Sequence, residues 1–310
     1  MKVNVPRWVR WLVRAGVSAG LLWWLFSRYD LKGILATFEG LSISVWLLAS
    51  LIYLLCQVMS SIRWWVLSNT LAFPGRWPTY LGFYFVGMYF NLFLPTGIGG
   101  DVFKAHFLSR DEGKRLLAAW SVVGDRLFGV TSMLLMGAGV VVVEPDLLPE
   151  PFVIFLSFSG LMILCGLVGL PFFHKALGRL WPGVSRYLND MLGIWRRPRR
   201  MLVILALSFS LQALGMGAVA LLGAGIGIQI PLVFYFASLP MISLIMMIPI
   251  SFSGIGVREG AFVYFLGLKG IDPESAFSLG LLFFSVQVAA SLVGGLAYAF
   301  GVHRRSINGP

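Results

Sequence analysis

The chain has 310 residues, of which 58% are apolar and only 12% charged. Soluble domains carry about 25% charged residues, so this composition excludes a soluble fold. The net charge of +11 would suit a nucleic-acid-binding protein. The positive residues, however, cluster between apolar runs, as in the cytoplasmic loops of a membrane protein. We therefore expect an all-α integral membrane protein without a nucleic-acid partner.

Six apolar runs are long enough to cross a bilayer. Each has about 20 residues or more, which matches a hydrocarbon core of roughly 30 Å. The first run follows a basic N-terminus but has no small-x-small cleavage site, so we expect an uncleaved span rather than a signal peptide. The six predicted full transmembrane helices are residues 8–27, 42–62, 118–142, 151–173, 201–222 and 276–301.

Two further apolar regions are interrupted. The region at about 78–110 breaks at 95–97, and the region at about 231–268 breaks at Pro249 and again at 253–254. Proline cannot continue a helix, and glycine adopts backbone conformations that other residues avoid. We predict that each region is a re-entrant helical hairpin.

The charges of the loops indicate which side of the membrane each loop occupies. The N-terminus, segment 174–200 and the C-terminus are rich in lysine and arginine, whereas segment 144–150 holds only acidic charges. By the positive-inside rule, both termini and 174–200 are cytoplasmic. Region 63–117 then enters and leaves from the cytoplasm, and 223–275 from the exterior. We predict a multi-pass protein of a bacterial or archaeal inner membrane, with hairpins that dip from opposite faces.

The two halves show the same order of elements: two spans, a hairpin and one span. The Gly-Ile-Gly sequence at 97–99 recurs at 254–256, in the equivalent hairpin. We therefore predict a single transmembrane domain, 1–310, built from a first repeat at 1–143 and an inverted second repeat at 144–310. Inverted repeats with broken helices are typical of secondary transporters, whose substrate sites lie near the bilayer midplane.

The first interrupted region carries a polar motif that begins at Asn91. Its glycines leave backbone N–H groups available at a helix start, which suits an anion such as phosphate. Asp101 and Lys104 are three residues apart, so on a helix they would share a face and pair. The predicted substrate contacts in this motif are Asn91, Gly97, Gly99, Gly100, Asp101 and Lys104.

The second interrupted region carries a related motif with hydroxyls and a charged pair. Arg258 can bind two phosphate oxygens at once, and Glu259 would be its charge partner or a proton-coupling carboxylate. The repeat places Asp101 opposite Arg258, which suggests a salt bridge between the halves that a substrate would break. The predicted contacts here are Ser251, Ser253, Gly254, Gly256, Arg258 and Glu259.

Ionisable residues also occur inside predicted spans. Asp125 and Arg126 lie within the third span, where charge is costly, so we interpret them as substrate contacts; the alternative is a structural pair that neutralises itself. Arg63, at the end of the second span, is expected to extend to the interface. Gln212 is expected to form an interhelical hydrogen bond. No motif for catalysis, a metal or a cofactor is found, so we predict none of them.

These motifs resemble the family named for the transmembrane region of lysylphosphatidylglycerol synthases, whose members are flippase-like membrane proteins. The resemblance covers nearly the whole chain and rests on the N-x-x-L-P-x-x-x-G-G-D pattern at 91–101, on 125–126 and on 253–259. Lys104 stands where the family often has arginine, which keeps the charge but not the two-pronged geometry. Bifunctional members continue into a soluble domain that aminoacylates phosphatidylglycerol. Because this chain ends at Pro310, we do not expect that reaction.

The resemblance implies a lipid translocase that moves a phosphate-bearing lipid, such as a phospholipid, a polyprenyl-phosphate or a lipid-linked saccharide, between leaflets. Its partners would be membrane lipids with an anionic head group and enzymes of a lipid or glycolipid pathway. One alternative is an integral-membrane transferase that acts on a lipid head group, with Asp101 or Glu259 as the base. Another is a structural or accessory membrane protein of a lipid pathway.

Overall fold

The structure is a computed structural model of the chain. Apart from the isolated residues 16 and 20, it describes residues 37–71, 73–93, 99–110, 114–180, 193–194, 197–248, 251 and 253–301, with side chains omitted for Phe93 and for 170–180. Within these residues the chain is helical and has no β-strand. The predicted all-α class is therefore confirmed for the described part of the chain.

The α-helices of this part are numbered in chain order. Helical structure pairs every backbone N–H and C=O within the segment, which the bilayer interior requires. The helices are α1 (Ile43–Thr70), α2 (Trp77–Phe93), α3 (Gly99–Ser109), α4 (Arg115–Val143), α5 (Glu150–Leu180), α6 (Pro198–Gly225), α7 (Leu232–Met247), α8 (Val257–Gly267) and α9 (Pro273–Ala299).

Among the described residues, five helices are long and apolar enough to cross a membrane: α1, α4, α5, α6 and α9. They coincide with five of the six predicted spans. The remaining predicted span, 8–27, lies outside the described residues except for residues 16 and 20. Helix α5 presents a continuous apolar face to the outside, including Phe158, Leu161 and Val168. Exposure of this kind is expected for a surface that contacts lipid.

Both interrupted regions form pairs of shorter helices. Helices α2 and α3 fill the first region, and α7 and α8 fill the second. The two helices of each pair pack against each other. Each predicted break falls between its two helices, although residues 94–98, Pro249 and 250 lie outside the described residues. The broken-helix pattern is thus confirmed, while the prediction of membrane re-entry stays a prediction.

Helices in the two halves correspond in order and length. Helices α1 and α6 have 28 residues each, and α3 and α8 have 11 each. Helices α2 and α7 have 17 and 16, and α4 and α9 have 29 and 27. The main packed pairs also correspond: α2 packs on α9 as α7 packs on α4, and α3 packs on α4 as α8 packs on α9. Three further packed pairs correspond between the halves: α1–α2 with α6–α7, α1–α4 with α6–α9, and α1–α9 with α4–α6.

Helices α1 and α6 cross at their centres and run antiparallel. The Cys56 thiol donates to the Leu211 carbonyl at 3.5 Å, and each of these residues is the fourteenth of its 28-residue helix. Arg63, beyond the centre of α1, bonds to Ser208, which lies just before the centre of α6. At the opposite end, Gly225 of α6 lies against Val45 of α1. These two equivalent helices therefore run in opposite directions.

Candidate functional site

Asp101 is the centre of an ion-pair cluster between α3 and α4. Its Oδ1 lies 2.8 Å from the Lys104 ammonium, and its Oδ2 accepts from the Arg126 Nε at 2.7 Å. The side chains of Asp101 and Lys104 are 9% and 5% exposed, whereas that of Arg126 is 45% exposed. The predicted Asp101–Lys104 pair is confirmed. One carboxylate therefore pairs with two cations; of these, Lys104 is buried and Arg126 is partly exposed.

Two aromatic rings complete the environment of Lys104. Its ammonium lies 4.4 Å from the ring centroid of Tyr84 and 5.6 Å from that of Trp64. A cation over an aromatic face is attracted to the ring quadrupole, and the attraction is stronger when the cation is desolvated. Lysine, with its compact charge at the end of a long stem, is therefore accommodated at this position.

A second buried ion pair links α1 to α4. Arg63 Nε donates to Asp125 Oδ1 at 2.8 Å, and Arg63 Nη1 donates to the Ser208 hydroxyl at 3.2 Å. The expectation that Arg63 reaches the interface is wrong, because Arg63 is 4% exposed and its guanidinium is held by these partners. The self-neutralising alternative for Asp125 and Arg126 is also wrong. Consecutive helical residues do not face each other, and these two pair with different helices.

Gln212 of α6 donates from its Nε2 to the Gly129 carbonyl of α4 at 2.8 Å, which confirms the predicted interhelical bond. A Cβ at Gly129 would lie 3.6 Å from both terminal nitrogens of Arg63. Helices α1, α4 and α6 are thus joined around one buried guanidinium.

The start of α3 depends on Asn91 and on two glycines. The Asn91 Oδ1 accepts from the backbone N–H of Gly100 at 2.8 Å, so it caps one of the free amides at the helix start. Gly99 and Gly100 are buried, and a Cβ on Gly100 would overlap the Gly87 carbonyl of α2. The glycine allows the two helices of this pair to touch. Gly97 lies outside the described residues.

Arg258 is a buried cation of the second half. Its side chain is 2% exposed, its Nη2 donates to the Ser253 carbonyl at 3.0 Å, and its guanidinium lies 4.6 Å from the ring centroid of Phe284. The Glu259 Oε1 lies 3.9 Å from Arg258 Nη1, and the Glu259 Oε2 accepts from the Gly256 N–H at 2.6 Å. Glu259 therefore caps α8 and also balances the arginine.

The loop before α8 has an unusual backbone. Gly254 and Gly256 have φ values of +78° and +85°, which glycine adopts without strain. Ser253 has φ of +50°, a value that few non-glycine residues adopt. Ser251 precedes them and is buried. The glycines of this motif are thus needed for the turn itself, whether or not they also contact a ligand.

The two interrupted regions meet. The Ser253 hydroxyl donates to the Leu92 carbonyl of α2 at 3.1 Å. The expected Asp101–Arg258 bridge is wrong, because Asp101 pairs within its own half and Arg258 lies beside Glu259. Each acidic residue lies on the short helix that follows its break and pairs with a cation of its own half.

Three contributors to the site were missed in the sequence. Arg63 was visible as a charge in an apolar run but was assigned to the interface. The Leu92 carbonyl and the Tyr84 ring carry no sequence signal, because neither residue type is unusual at a membrane helix. In the described part of the chain, no three side chains of the metal-binding types come together.

Comparison with known proteins identifies the family. The family described as the lysylphosphatidylglycerol synthase TM region matches residues 11–295. The chain belongs to this family. As a member of the lysylphosphatidylglycerol synthase TM family, it is a multi-pass membrane protein of lipid metabolism. Neither the search of curated proteins nor the search of solved structures found a match.

Proposed function

We propose that this member of the family is a translocase that moves a phosphate-bearing lipid between leaflets. The head group would occupy a polar cavity between the two broken helix pairs while the tails stay in the bilayer. The observation that carries this proposal is the contact between the Ser253 hydroxyl and the Leu92 carbonyl. It joins the two interrupted regions and supports a site between them; in this proposal the helices that carry Lys104 and Arg258 face a common space.

The chemistry of these helix starts favours an anion. Backbone N–H groups at a helix start and the positive end of the helix dipole attract negative charge. Lys104 and Arg126 lie at one helix pair and Arg258 at the other. In this proposal the cations bind phosphate oxygens, and Asp101 and Glu259 balance charge or carry protons. A phosphate would replace carboxylate partners that these cations already use.

The packing of the two halves favours alternating access. Helices α1 and α6 cross at equivalent residues and run antiparallel, as an inverted repeat requires. We infer that the two helix pairs are re-entrant from opposite faces, that both termini are cytoplasmic and that the protein resides in the inner membrane. Rocking of one repeat against the other would then expose a fixed site to each leaflet in turn.

The test is lipid translocation in sealed vesicles. Purified protein is reconstituted with phosphatidylglycerol that carries a fluorescent acyl chain, and a membrane-impermeant quencher reports the fraction that reaches the outer leaflet. We expect protein-dependent transfer that falls at least about tenfold in Arg258→Gln, because charge-assisted hydrogen bonds are lost. Arg76→Gln, which removes an exposed arginine outside both motifs, is the matched control and should retain the rate.

Two results would reject the proposal. One is transfer at the protein-free rate for every phosphate-bearing lipid offered. The other is a full rate in Arg258→Gln. An integral-membrane transferase would instead form product in detergent when a group donor is supplied, whereas a translocase needs a sealed bilayer to have any effect.

A further inference from the structure

Two guanidinium nitrogens of Arg258 make no hydrogen bond among the described residues. Its Nη2 donates to the Ser253 carbonyl, whereas its Nε and Nη1 have no hydrogen-bond partner, although the side chain is only 2% exposed. The Glu259 Oε1 lies 3.9 Å from Nη1, which is beyond hydrogen-bond distance. Because buried donors are rarely left unpaired, these two nitrogens are available to an oxygen ligand such as a phosphate.

Tyr53 of α1 lies next to this arginine. Its ring makes an edge contact with Phe283 of α9, with 6.2 Å between the ring centroids. The following residue, Phe284, has the Arg258 guanidinium 4.6 Å from its own ring centroid. Tyr53 is also close enough to Arg258 for the guanidinium charge to act on the Tyr53 hydroxyl. The tyrosine and the arginine therefore border the same space beside α9.

Tyr53 is on the inner face of α1. The outer face of this helix carries exposed leucines, including Leu51 and Leu55. Residue 53 is two positions from each of them, which at about 100° per residue places it roughly 160–200° around the helix. Tyr53 lies deep among protein atoms and is nevertheless partly accessible. Its accessible surface therefore faces the interior of the molecule and not the lipid.

Tyr53 and Gln57 offer uncharged hydrogen-bonding groups to this interior space. Gln57 follows one turn later on the same face of α1 and is also partly accessible. In the part of the chain that the structure describes, neither the Tyr53 hydroxyl nor the Gln57 amide has a hydrogen-bond partner. A hydroxyl and an amide can each donate and accept, so both can pair with hydroxyl groups of a ligand.

We infer that Tyr53 binds hydroxyl groups of the lipid head group while Arg258 binds the phosphate, so that the site selects lipids whose phosphate carries a polyol or a saccharide. The inference rests on the proposed function and narrows its substrate class. A site that hydrogen-bonds a substrate hydroxyl discriminates against an analogue without it, because the protein group is then left unpaired. A head group without hydroxyls would leave Tyr53 and Gln57 in that state.

The test compares two lipids of equal charge. Phosphatidylglycerol and phosphatidylpropanol with identical acyl chains have the same phosphodiester and differ only in the glycerol hydroxyls. The full chain in detergent is titrated with each lipid, and the bound fraction is measured by native mass spectrometry. We expect phosphatidylglycerol to bind about three- to tenfold more tightly, as one or two uncharged hydrogen bonds would give. Equal binding of the two lipids would overturn the inference.

A single hydroxyl can be removed to identify the residue. Tyr53→Phe keeps the ring against Phe283, so we expect it to bind phosphatidylpropanol normally and to lose most of the preference for phosphatidylglycerol. Tyr264→Phe is the matched control, because Tyr264 is 51% exposed and contacts Phe152 of α5; it should leave both affinities unchanged. An unchanged preference in Tyr53→Phe would overturn the inference. Equal weakening of both lipids would do the same, since it would indicate a structural role.

The two proposals fail in different ways. Tyr53-dependent selection of phosphatidylglycerol in detergent, without transfer in sealed vesicles, would reject the translocase and leave the selection standing. Protein-dependent transfer in vesicles, combined with equal binding of phosphatidylglycerol and phosphatidylpropanol, would reject the selection and leave the translocase standing.

Discussion

The Ser253 hydroxyl donates a hydrogen bond to the Leu92 carbonyl, and this 3.1 Å contact joins the two halves of the molecule. The Ser253 carbonyl also accepts from Arg258 at 3.0 Å. One residue with a rarely adopted backbone conformation thus links the loops and holds the buried arginine. A motion that separates the loops must break the first bond and would alter the position of Arg258.

Cross-linking this contact should stop the transport cycle. We expect Leu92→Cys/Ser253→Cys, in a Cys165→Ser background that removes the exposed thiol, to lose lipid transfer when a short bifunctional thiol reagent joins the pair. The physical reason is that alternating access requires the halves to move relative to each other. The measurement is the rate of lipid transfer between leaflets in sealed vesicles before and after cross-linking.

Each single cysteine variant, treated with the same reagent, is the control for modification alone. Full transfer by protein that gel electrophoresis shows to be cross-linked would mean that these loops do not separate during transport.

The Arg63–Asp125 pair should be structural. Either Arg63→Gln or Asp125→Asn leaves a buried partner unpaired, and we expect a loss of about 3–5 kcal/mol in the free energy of unfolding. Arg63→Met/Asp125→Leu removes both charges and should recover most of it, since apolar replacement of a whole buried pair is often neutral. Thermal unfolding in detergent measures the stability of all three variants.

Transfer by the double variant shows whether the pair has any further role. If Arg63→Met/Asp125→Leu is stable but does not move lipid, Asp125 contributes to function as well as to structure.

The close contact of α2 and α3 should depend on Gly100. Because a Cβ there would overlap the Gly87 carbonyl, Gly100→Ala should reduce the free energy of unfolding by about 1–3 kcal/mol. Gly215→Ala on α6 is the control, since a Cβ at that helical position meets nothing within 4 Å. If both substitutions have equal effects on the melting temperature, the close approach of the two helices is not a constraint.

Asp101 should be essential to the cluster. Asp101→Asn leaves Lys104 and Arg126 without their shared carboxylate, so two cations would repel each other next to a buried site. We expect the free energy of unfolding to fall by at least about 3 kcal/mol and lipid transfer to be lost. Asp101→Glu should retain part of the stability and part of the transfer rate. Stability that is unchanged in Asp101→Asn would show that another group compensates the two cations.

Much of the fold was predictable from local pattern. Long apolar runs give the five spans because bilayer thickness fixes helix length. Proline and glycine mark both breaks for backbone reasons that act within a few residues. The Asp101–Lys104 pair follows from helix periodicity alone. Each of these predictions concerns a single segment, and each agrees with the structure.

Predictions of which side chains pair across different helices were less successful. Arg63 pairs with Asp125 because α1 and α4 pack together, and nothing in either helix specifies that neighbour. The Asp101–Arg258 bridge was derived from a register based on the repeated Gly-Ile-Gly sequence. In the structure each acidic residue instead pairs with a cation of its own half: Asp101 with Lys104 and Arg126, and Glu259 with Arg258. Sequence similarity between the halves does not specify these partners.

The most direct test of the translocase is the rate at which labelled phosphatidylglycerol changes leaflet in sealed vesicles, measured against the number of protein copies per vesicle. The proposed mechanism predicts that the rate rises with protein copy number and that Arg126→Gln/Arg258→Gln returns it to the protein-free value. A rate that does not depend on protein, or that persists in this folded double variant, would contradict it.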